Sequence, residues 1–504
     1  LKDRIVKTVA VLLLLVLLTG CVGKQTTGQE VSFDDSTLGV VTGSLYDGYS
    51  RTLYPNAKID YYNTFADLFQ CIKLGKIDAF MLDEAAFNAV ARTDSRLHSV
   101  LVPEYKVELG FGFQKNNGGD VLQGQMNELL MKLWDDGSME QMIEKWYGAE
   151  EPEQTLIQPD FSDNLIPLNV AIDTTRKPFV YLLNNQPAGM ETEIMYLFCE
   201  TYGYKPTFSD VPFASGLAGL AGEKYDLVCG GLYMTVERKR SVNFSAPYMT
   251  ANVIMVTYDH GETSFFAQVA SSFESTLIKQ NRWQLILSGL WVSLLIAALS
   301  VLFGSLLGFG VFFGKRSAVA WLAKLFTAFG RVCAFILHGT PTLVLLMLLY
   351  YTVFGNTDVS GTTVSVIGFT FIFASFVEHN LTRTVNSIDK GQTEGAYALG
   401  YSRNKTLFKI VMPQAMELFL PMYSEEVVTL IKATSVVGYI AVNDLTKMAD
   451  IIRSNTFIAI FPLLAVTVCY FALTLGVTGV LEAIGRKLNP RQRKAGRAAK
   501  GEKA

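Results

Sequence analysis

No Gly-x4-Gly-Lys-Ser/Thr loop occurs anywhere in this sequence, so the chain has no phosphate cradle of that type. Its six cysteines, Cys21, Cys71, Cys199, Cys229, Cys333 and Cys469, form neither a CxxC pair nor a metal-ligand spacing. Neither a zinc site nor a disulfide framework is therefore indicated. No nucleophile-base pair or metal-ligating cluster stands out, and nothing points to catalysis by the chain itself or to a cofactor of its own. Charged residues are scarce at 18%, against 50% hydrophobic residues. The mean hydropathy of +0.27 exceeds the usual range of soluble chains. A net charge of -3 says little about partners, but its distribution is uneven: the stretch from Arg486 to Lys503 is almost purely basic. We read that stretch as a membrane-flanking cytosolic tail rather than a nucleic-acid contact.

At 504 residues the chain has room for two or three folding units. Lys2, Arg4 and Lys7 precede an apolar run from Val9 to Leu18, too short for a comfortable membrane span. Leu18-Thr19-Gly20-Cys21 then resembles a bacterial lipobox. The resemblance implies a lipoprotein signal peptide over 1–20, lipidation of Cys21 and a tether over 21–37; the alternative is a plain signal anchor. A lipidated cysteine would hold the following domain on the outer leaflet.

From residue 38 to 149 short apolar strands (Leu38 to Val41, Ala79 to Leu82, Val107 to Phe113) alternate with amphipathic helices. Residues 150–167, with three prolines and several acids, read as a linker. A second α/β stretch follows over 168–262, with strands at Leu168 to Ile172, Lys205 to Phe208, Asp226 to Cys229 and Val253 to Tyr258 and a helix from Glu191 to Tyr202. After a connector over 263–284 the pattern changes to long apolar runs. At about 20 residues per crossing we expect spans at Leu285 to Phe313, Val332 to Phe354, Thr363 to Phe376, Val427 to Val442 and Ile458 to Ile484. With the α/β region outside, five crossings place Lys315, Arg316, Lys324, Arg331, Arg383, Lys390, Arg403, Lys405, Lys409 and the tail over 487–504 in the cytosol. The positive-inside rule asks for that orientation.

The loop between the third and fourth spans holds Glu394-Gly395-Ala396-Tyr397-Ala398-Leu399-Gly400 and, after nine intervening residues, Ile410-Val411-Met412-Pro413. This resembles the EAA loop of ABC importer permeases, with Gly395 and Met412 as departures. His338-Gly339-Thr340-Pro341, Lys390-Gly391-Gln392 and Lys432-Ala433-Thr434-Ser435 are similar to stretches of polar amino acid permeases. The resemblance implies an all-α permease domain over 285–486, coupled to a cytosolic ATPase through Glu394, Gly395, Ala396 and Gly400. In physical terms a small-residue helix can lie in a groove of another subunit, and Gly400 lets the chain turn back. Glu425, Glu426 and Lys432 belong either to a transport pathway or to the cytosolic edge of the fourth span.

Gly231-Leu232-Tyr233-Met234-Thr235-Val236-Glu237-Arg238, Val242-Asn243-Phe244-Ser245-Ala246-Pro247-Tyr248 and Asp173-Thr174-Thr175-Arg176-Lys177-Pro178-Phe179 resemble the first lobe of type II periplasmic amino acid-binding proteins. Val41-Thr42-Gly43-Ser44, Lys76-Ile77-Asp78-Ala79, Asp83-Glu84 and Lys145-Trp146-Tyr147-Gly148 resemble the second lobe, yet come first. The domain thus reads as two-lobed α/β and circularly permuted, joined through the linker; two unrelated half-domains are the alternative. An amino acid presents a carboxylate and an ammonium. The resemblance implies that Arg238 grips the carboxylate, that Ser44 adds donors, and that Asp83 and the Gly231 carbonyl take the ammonium. Phe213 would cover the ligand and Asp173 would reach its side-chain end. Arg176 and Tyr233 depart from the family pattern. Arg176 favours an acidic or strongly polar ligand, or else points into solvent.

The chain is therefore expected to be the binding and permease subunit of an ATP-driven amino acid importer. Its expected partners are an amino acid ligand, a cytosolic ATPase dimer that binds the ATP, the membrane, and a second permease subunit, either another copy of this chain in a homodimer or a different paired permease. A ligand-gated channel with a two-lobed binding domain is the runner-up, but a channel needs no ATPase dock. A membrane-anchored sensor would carry an output domain, and no such pattern follows Ile484.

Overall fold

A computed structural model of the chain describes residues 33–92, 94–148, 156, 159–162, 164–260, 272–355, 357, 359–458 and 460–488. The expected signal peptide, Cys21 and residues beyond 488 lie outside the described residues. The rest falls into two compact units. One holds the described residues up to Glu108, those from Met249 to residue 260, and Phe457 with its neighbour Ile458; the other holds Leu109 to Tyr248 and the helical remainder.

The first unit is built on a five-stranded sheet in the order Lys58–Tyr62, Thr37–Val41, Ala79–Asp83, Met249–Tyr258, Leu97–Leu109. Thr37–Val41 runs parallel to both of its neighbours, and Met249–Tyr258 runs antiparallel to Ala79–Asp83. Thr64 and Asp67 form a reciprocal capping box at the start of the helix Phe65–Lys73, which turns Leu68, Phe69 and Ile72 inward.

In the second unit the sheet order is Tyr204–Asp210, Ile166–Ile172, Leu227–Cys229, Gly112–Phe113, Asn243–Phe244. The first three strands are parallel, so their C-terminal ends open on one side. Met190–Tyr202 buries Ile194, Met195, Phe198 and Cys199 and ends at Gly203, whose φ of 76° suits glycine. A three-stranded ribbon of Thr175–Arg176, Val180–Leu183 and Gln186–Ala188 completes the α/β part.

The sheets do not divide where the linker divides the sequence. Gly112–Phe113, on the 38–149 side, pairs with Leu227 and Val228 on one edge and Asn243 and Phe244 on the other. Met249–Tyr258, on the 168–262 side, belongs to the first sheet. Each sheet borrows a strand from the other stretch because long-range backbone pairing decides membership. The expected strand Val107 to Phe113 is likewise two elements, broken at Gly110.

Four described helices are long and apolar enough to cross a membrane: Trp283–Gly314, Ala320–Leu337, Gly361–Asn386 and Ile460–Ala483. The expected span from Val332 to Phe354 is corrected. Ala320–Gly339 ends at Thr340, held extended at φ -119° and ψ 130° before Pro341, and a separate helix Thr342–Leu348 follows. Proline disfavours the helical region for its predecessor, which places the break there. Val427 to Val442 is also not one helix. Met412–Ala433 carries Glu417, Glu425, Glu426 and Lys432, and the chain tightens into a 3-10 stretch from Thr434 to Ile440. Gly289, Gly304 and Gly308 let Trp283–Gly314 approach its neighbours; a Cβ on Gly308 would lie 2.7 Å from the Ala374 carbonyl oxygen.

Candidate functional site

Three parallel strands deliver most of the expected ligand residues to one end of the second sheet, where α/β folds commonly bind ligands. Ile166–Ile172 leads into Asp173, Tyr204–Asp210 leads towards Phe213, and Leu227–Cys229 leads into Gly230 and Gly231. The two glycines adopt φ of 138° and 65°, and a Cβ on Gly231 would stand 2.6 Å from Phe179 Cδ2. Only glycine suits that combination of torsion and close approach. The turn is pinned from below by Glu191, whose buried carboxylate accepts from the Gly231 amide at 3.1 Å, from the Gly230 amide and from the Tyr248 hydroxyl. Burial raises the Glu191 pKa even though these hydrogen bonds pull the other way.

With its amides tied down, the turn presents its carbonyls to Arg176. Nε donates to Gly230 O and Nη2 to Gly231 O, each at 3.1 Å, and the guanidinium lies 5.4 Å from the Tyr233 ring centroid. Arg176 is thus held within the site rather than pointing away into solvent. The Gly231 carbonyl, expected to accept from a ligand ammonium, accepts from Arg176. Asp173 accepts from the Thr175 amide at 3.1 Å through Oδ1 and from the Phe213 amide at 3.1 Å through Oδ2, joining two of the strand ends. Arg238 sits 4.6 Å over the Phe213 ring and donates to Tyr233 O at 2.9 Å. Burial, and then the like charge of Arg176, push its pKa down from 12.5 to about 10. Two guanidiniums that raise each other's cost form a ready acceptor for an anion.

Ser44 and Asp83 lie on the first unit. The Ser44 hydroxyl is buried without a hydrogen-bond partner among the described residues. Asp83 is fully buried at the end of Ala79–Asp83, and its Oδ1 accepts from the Ala86 amide at 2.7 Å as the cap of the helix Glu84–Ala91. Helix capping is therefore a structural task of Asp83 whatever else it does.

The EAA-like segment forms the helix Lys390–Ala398, capped by Asp389, whose Oδ1 accepts from the Gly391 amide at 2.6 Å. Its end is a Schellman motif: Gly400 at φ 80° donates to Tyr397 O at 2.9 Å and Tyr401 donates to Ala396 O at 3.0 Å. Ala396 is buried, whereas Glu394, Gly395 and Gly400 are exposed. Leu399 is 79% exposed and Tyr397 48%, an outlay of apolar surface suited to a partner.

The model of the bacterial extracellular solute-binding proteins, family 3, matches residues 168–429, from the second α/β stretch into the helical region. The arginine transport system permease protein ArtQ of Bacillus subtilis is 29% identical over 211 residues, which is 40% of this chain and 92% of the relative. The probable amino-acid ABC transporter permease protein YckA of the same organism is 31% identical over 176 residues, 34% of this chain and 75% of the relative. The chain belongs to the amino-acid ABC transporter permeases and carries a family 3 solute-binding domain. A solved amino acid ABC transporter is 26% identical over 45% of the permease chain and 100% of that structure's chain, with a TM-score of 0.38.

Like its relatives, this permease is an integral membrane protein. The sequence places Glu191 at the start of a helix but offers no sign that this acid anchors the glycine turn. The available signal was an acid at a helix start followed by the apolar Ile194, Met195 and Phe198, which places it on the buried face.

Proposed function

We propose that the permease imports an amino acid captured by its own solute-binding domain, and that a separate cytosolic ATPase dimer drives a homodimer of the chain. The observation that carries this reading is the exposed, Schellman-terminated helix Lys390–Ala398, which offers Glu394, Gly395 and Gly400 to a partner while Ala396 packs inward. The relatives' names, permeases of arginine and amino-acid ABC systems, support the substrate class. Arg238 receives the ligand carboxylate, Phe213 and Tyr233 wall the ligand, and Asp173 meets its far end. Arg176, already spending two donors on the glycine turn, adds positive field rather than a second fork. Ser44 and Asp83 are assigned their donor and ammonium roles by resemblance. Cys21 is lipidated, and the solute-binding domain is a circular permutation, a reading supported by the exchange of strands between its two sheets.

The test is co-expression of the full chain with candidate ATPase subunits and purification in nanodiscs. ATP hydrolysis is then measured with each of the twenty common L-amino acids. Stimulation by one or a few of them is the expected result. Amino acid-evoked currents in bilayers lacking any ATPase would instead support the channel reading.

A further inference from the structure

Within the second unit a buried ion pair ties the loop that carries ligand residues to the helical region. Lys447, on the helix Leu445–Thr456, is only 6% exposed and places Nζ 3.2 Å from Asp210 Oδ1. Asp210 also accepts from the Thr174 hydroxyl at 2.6 Å and the Thr174 amide at 3.3 Å, so it clasps the loop that carries Asp173, Thr175 and Arg176. Burial opposes the charge on Lys447, but Asp210 and then Asp173 outweigh it and hold its pKa above the ordinary lysine value.

The start of the same helix packs on the apolar helix Trp283–Gly314. Asp444 caps it, accepting from the Thr446 amide at 2.9 Å and the Lys447 amide at 3.2 Å. The Leu445 amide donates to Ser293 Oγ at 3.2 Å on the apolar helix Trp283–Gly314. At Gly289 a Cβ would stand 2.8 Å from Asp444 O, so the two helices touch backbone to backbone. Further along, Asn455 Nδ2 donates to Leu182 O in the ribbon that begins at Thr175. A displacement of the 173–176 loop therefore has a short, packed route to the first apolar helix.

We propose that Lys447 is a positioning residue for transport: by holding Asp210 and the 173–176 loop it transmits ligand occupancy at the arginine pair to the helix Trp283–Gly314. The proposal rests on the importer reading. Its role is coupling rather than ligand affinity, so it differs from that of the pocket residues.

The experiment uses the full chain with its ATPase in nanodiscs, probed with the twenty common L-amino acids. Basal hydrolysis, amino acid-stimulated hydrolysis and amino acid affinity are measured for the wild type, Lys447→Met, Lys447→Arg and the double variant Lys447→Met with Asp210→Asn. Neutralising both partners leaves no unpaired buried charge, so the double variant keeps the test alive if the single one misfolds. Stimulation is expected to fall about ten-fold, an ordinary coupling magnitude, in the single and double neutral variants. Basal hydrolysis and affinity stay near wild type, and Lys447→Arg restores stimulation. Wild-type stimulation in the double variant overturns the proposal, as does a loss of affinity that matches the loss of stimulation. Absence of stimulation in the wild type overturns the importer reading itself and the proposal with it.

Discussion

Replacing Arg238 by alanine separates binding from folding, because the two respond to its charge with opposite sign. Burial and Arg176 hold the guanidinium at about 10, below its ordinary 12.5. A group whose folded pKa is depressed contributes stability only above its unfolded value, and that contribution is lost as the pH falls through about 10. Near neutrality the empty site therefore carries the cost, about 3 kcal/mol at roughly 1.36 kcal/mol per pH unit. A carboxylate paired with the guanidinium offsets this cost. Arg238→Ala should accordingly weaken amino acid binding by about two orders of magnitude. The ligand-free protein should lose much less, since the lost stacking on Phe213, about 0.5–1 kcal/mol, and the lost hydrogen bond to Tyr233 O, about 1 kcal/mol, are set against a relieved cation. Equilibrium dialysis with a labelled ligand on the full chain in nanodiscs gives the affinity, and thermal unfolding without ligand gives the stability. Affinity within a few-fold of wild type would refute the carboxylate role. A fall in ligand-free stability as large as the loss of binding would show that Arg238 is a structural residue.

Gly231→Ala forces a Cβ to within 2.6 Å of Phe179 Cδ2 at a φ of 65°. It should cost about 1–3 kcal/mol in the solute-binding domain, measured by unfolding, while ATPase co-purification is unchanged. Glu191 has a folded pKa above the ordinary 4.5, so the stability it contributes is present at low pH and lost as the pH rises through the raised value. Melting temperature should thus decline with rising pH above 4.5 more steeply in the wild type than in Glu191→Gln, and equal slopes would contradict the assignment. Leu399→Asp places a charge on the exposed apolar residue that follows the helix Lys390–Ala398, the segment proposed to meet the ATPase. Pull-down should show loss of the ATPase with amino acid binding intact. Cys21→Ser should abolish labelling by a fatty-acid probe.

What the sequence made legible follows from how local each signal is. Trp283–Gly314 and Ile460–Leu488 are apolar nearly all round, so hydropathy alone locates them. Hydropathy is blind to the backbone, and it ran through Thr340–Pro341 as if the helix continued. The Lys390–Ala398 helix and its Gly400 terminator were readable because a Schellman ending is written in one glycine. The sheet memberships of Gly112–Phe113 and Met249–Tyr258 were not, since pairing with strands more than a hundred residues away leaves no local mark. Arg238 and Asp173 could be named from motifs, but what they touch could not. The capture of the Gly230 and Gly231 carbonyls by Arg176 depends on Glu191 holding the amides beneath, a relation visible only once the chain is folded.

Proteoliposomes with the solute-binding domain facing out and ATP sealed inside address the whole account. Uptake of a labelled amino acid should require the chain, the ATPase subunit and luminal ATP together, and should disappear with Leu399→Asp. Accumulation without the ATPase, or undiminished accumulation in that variant, would contradict it.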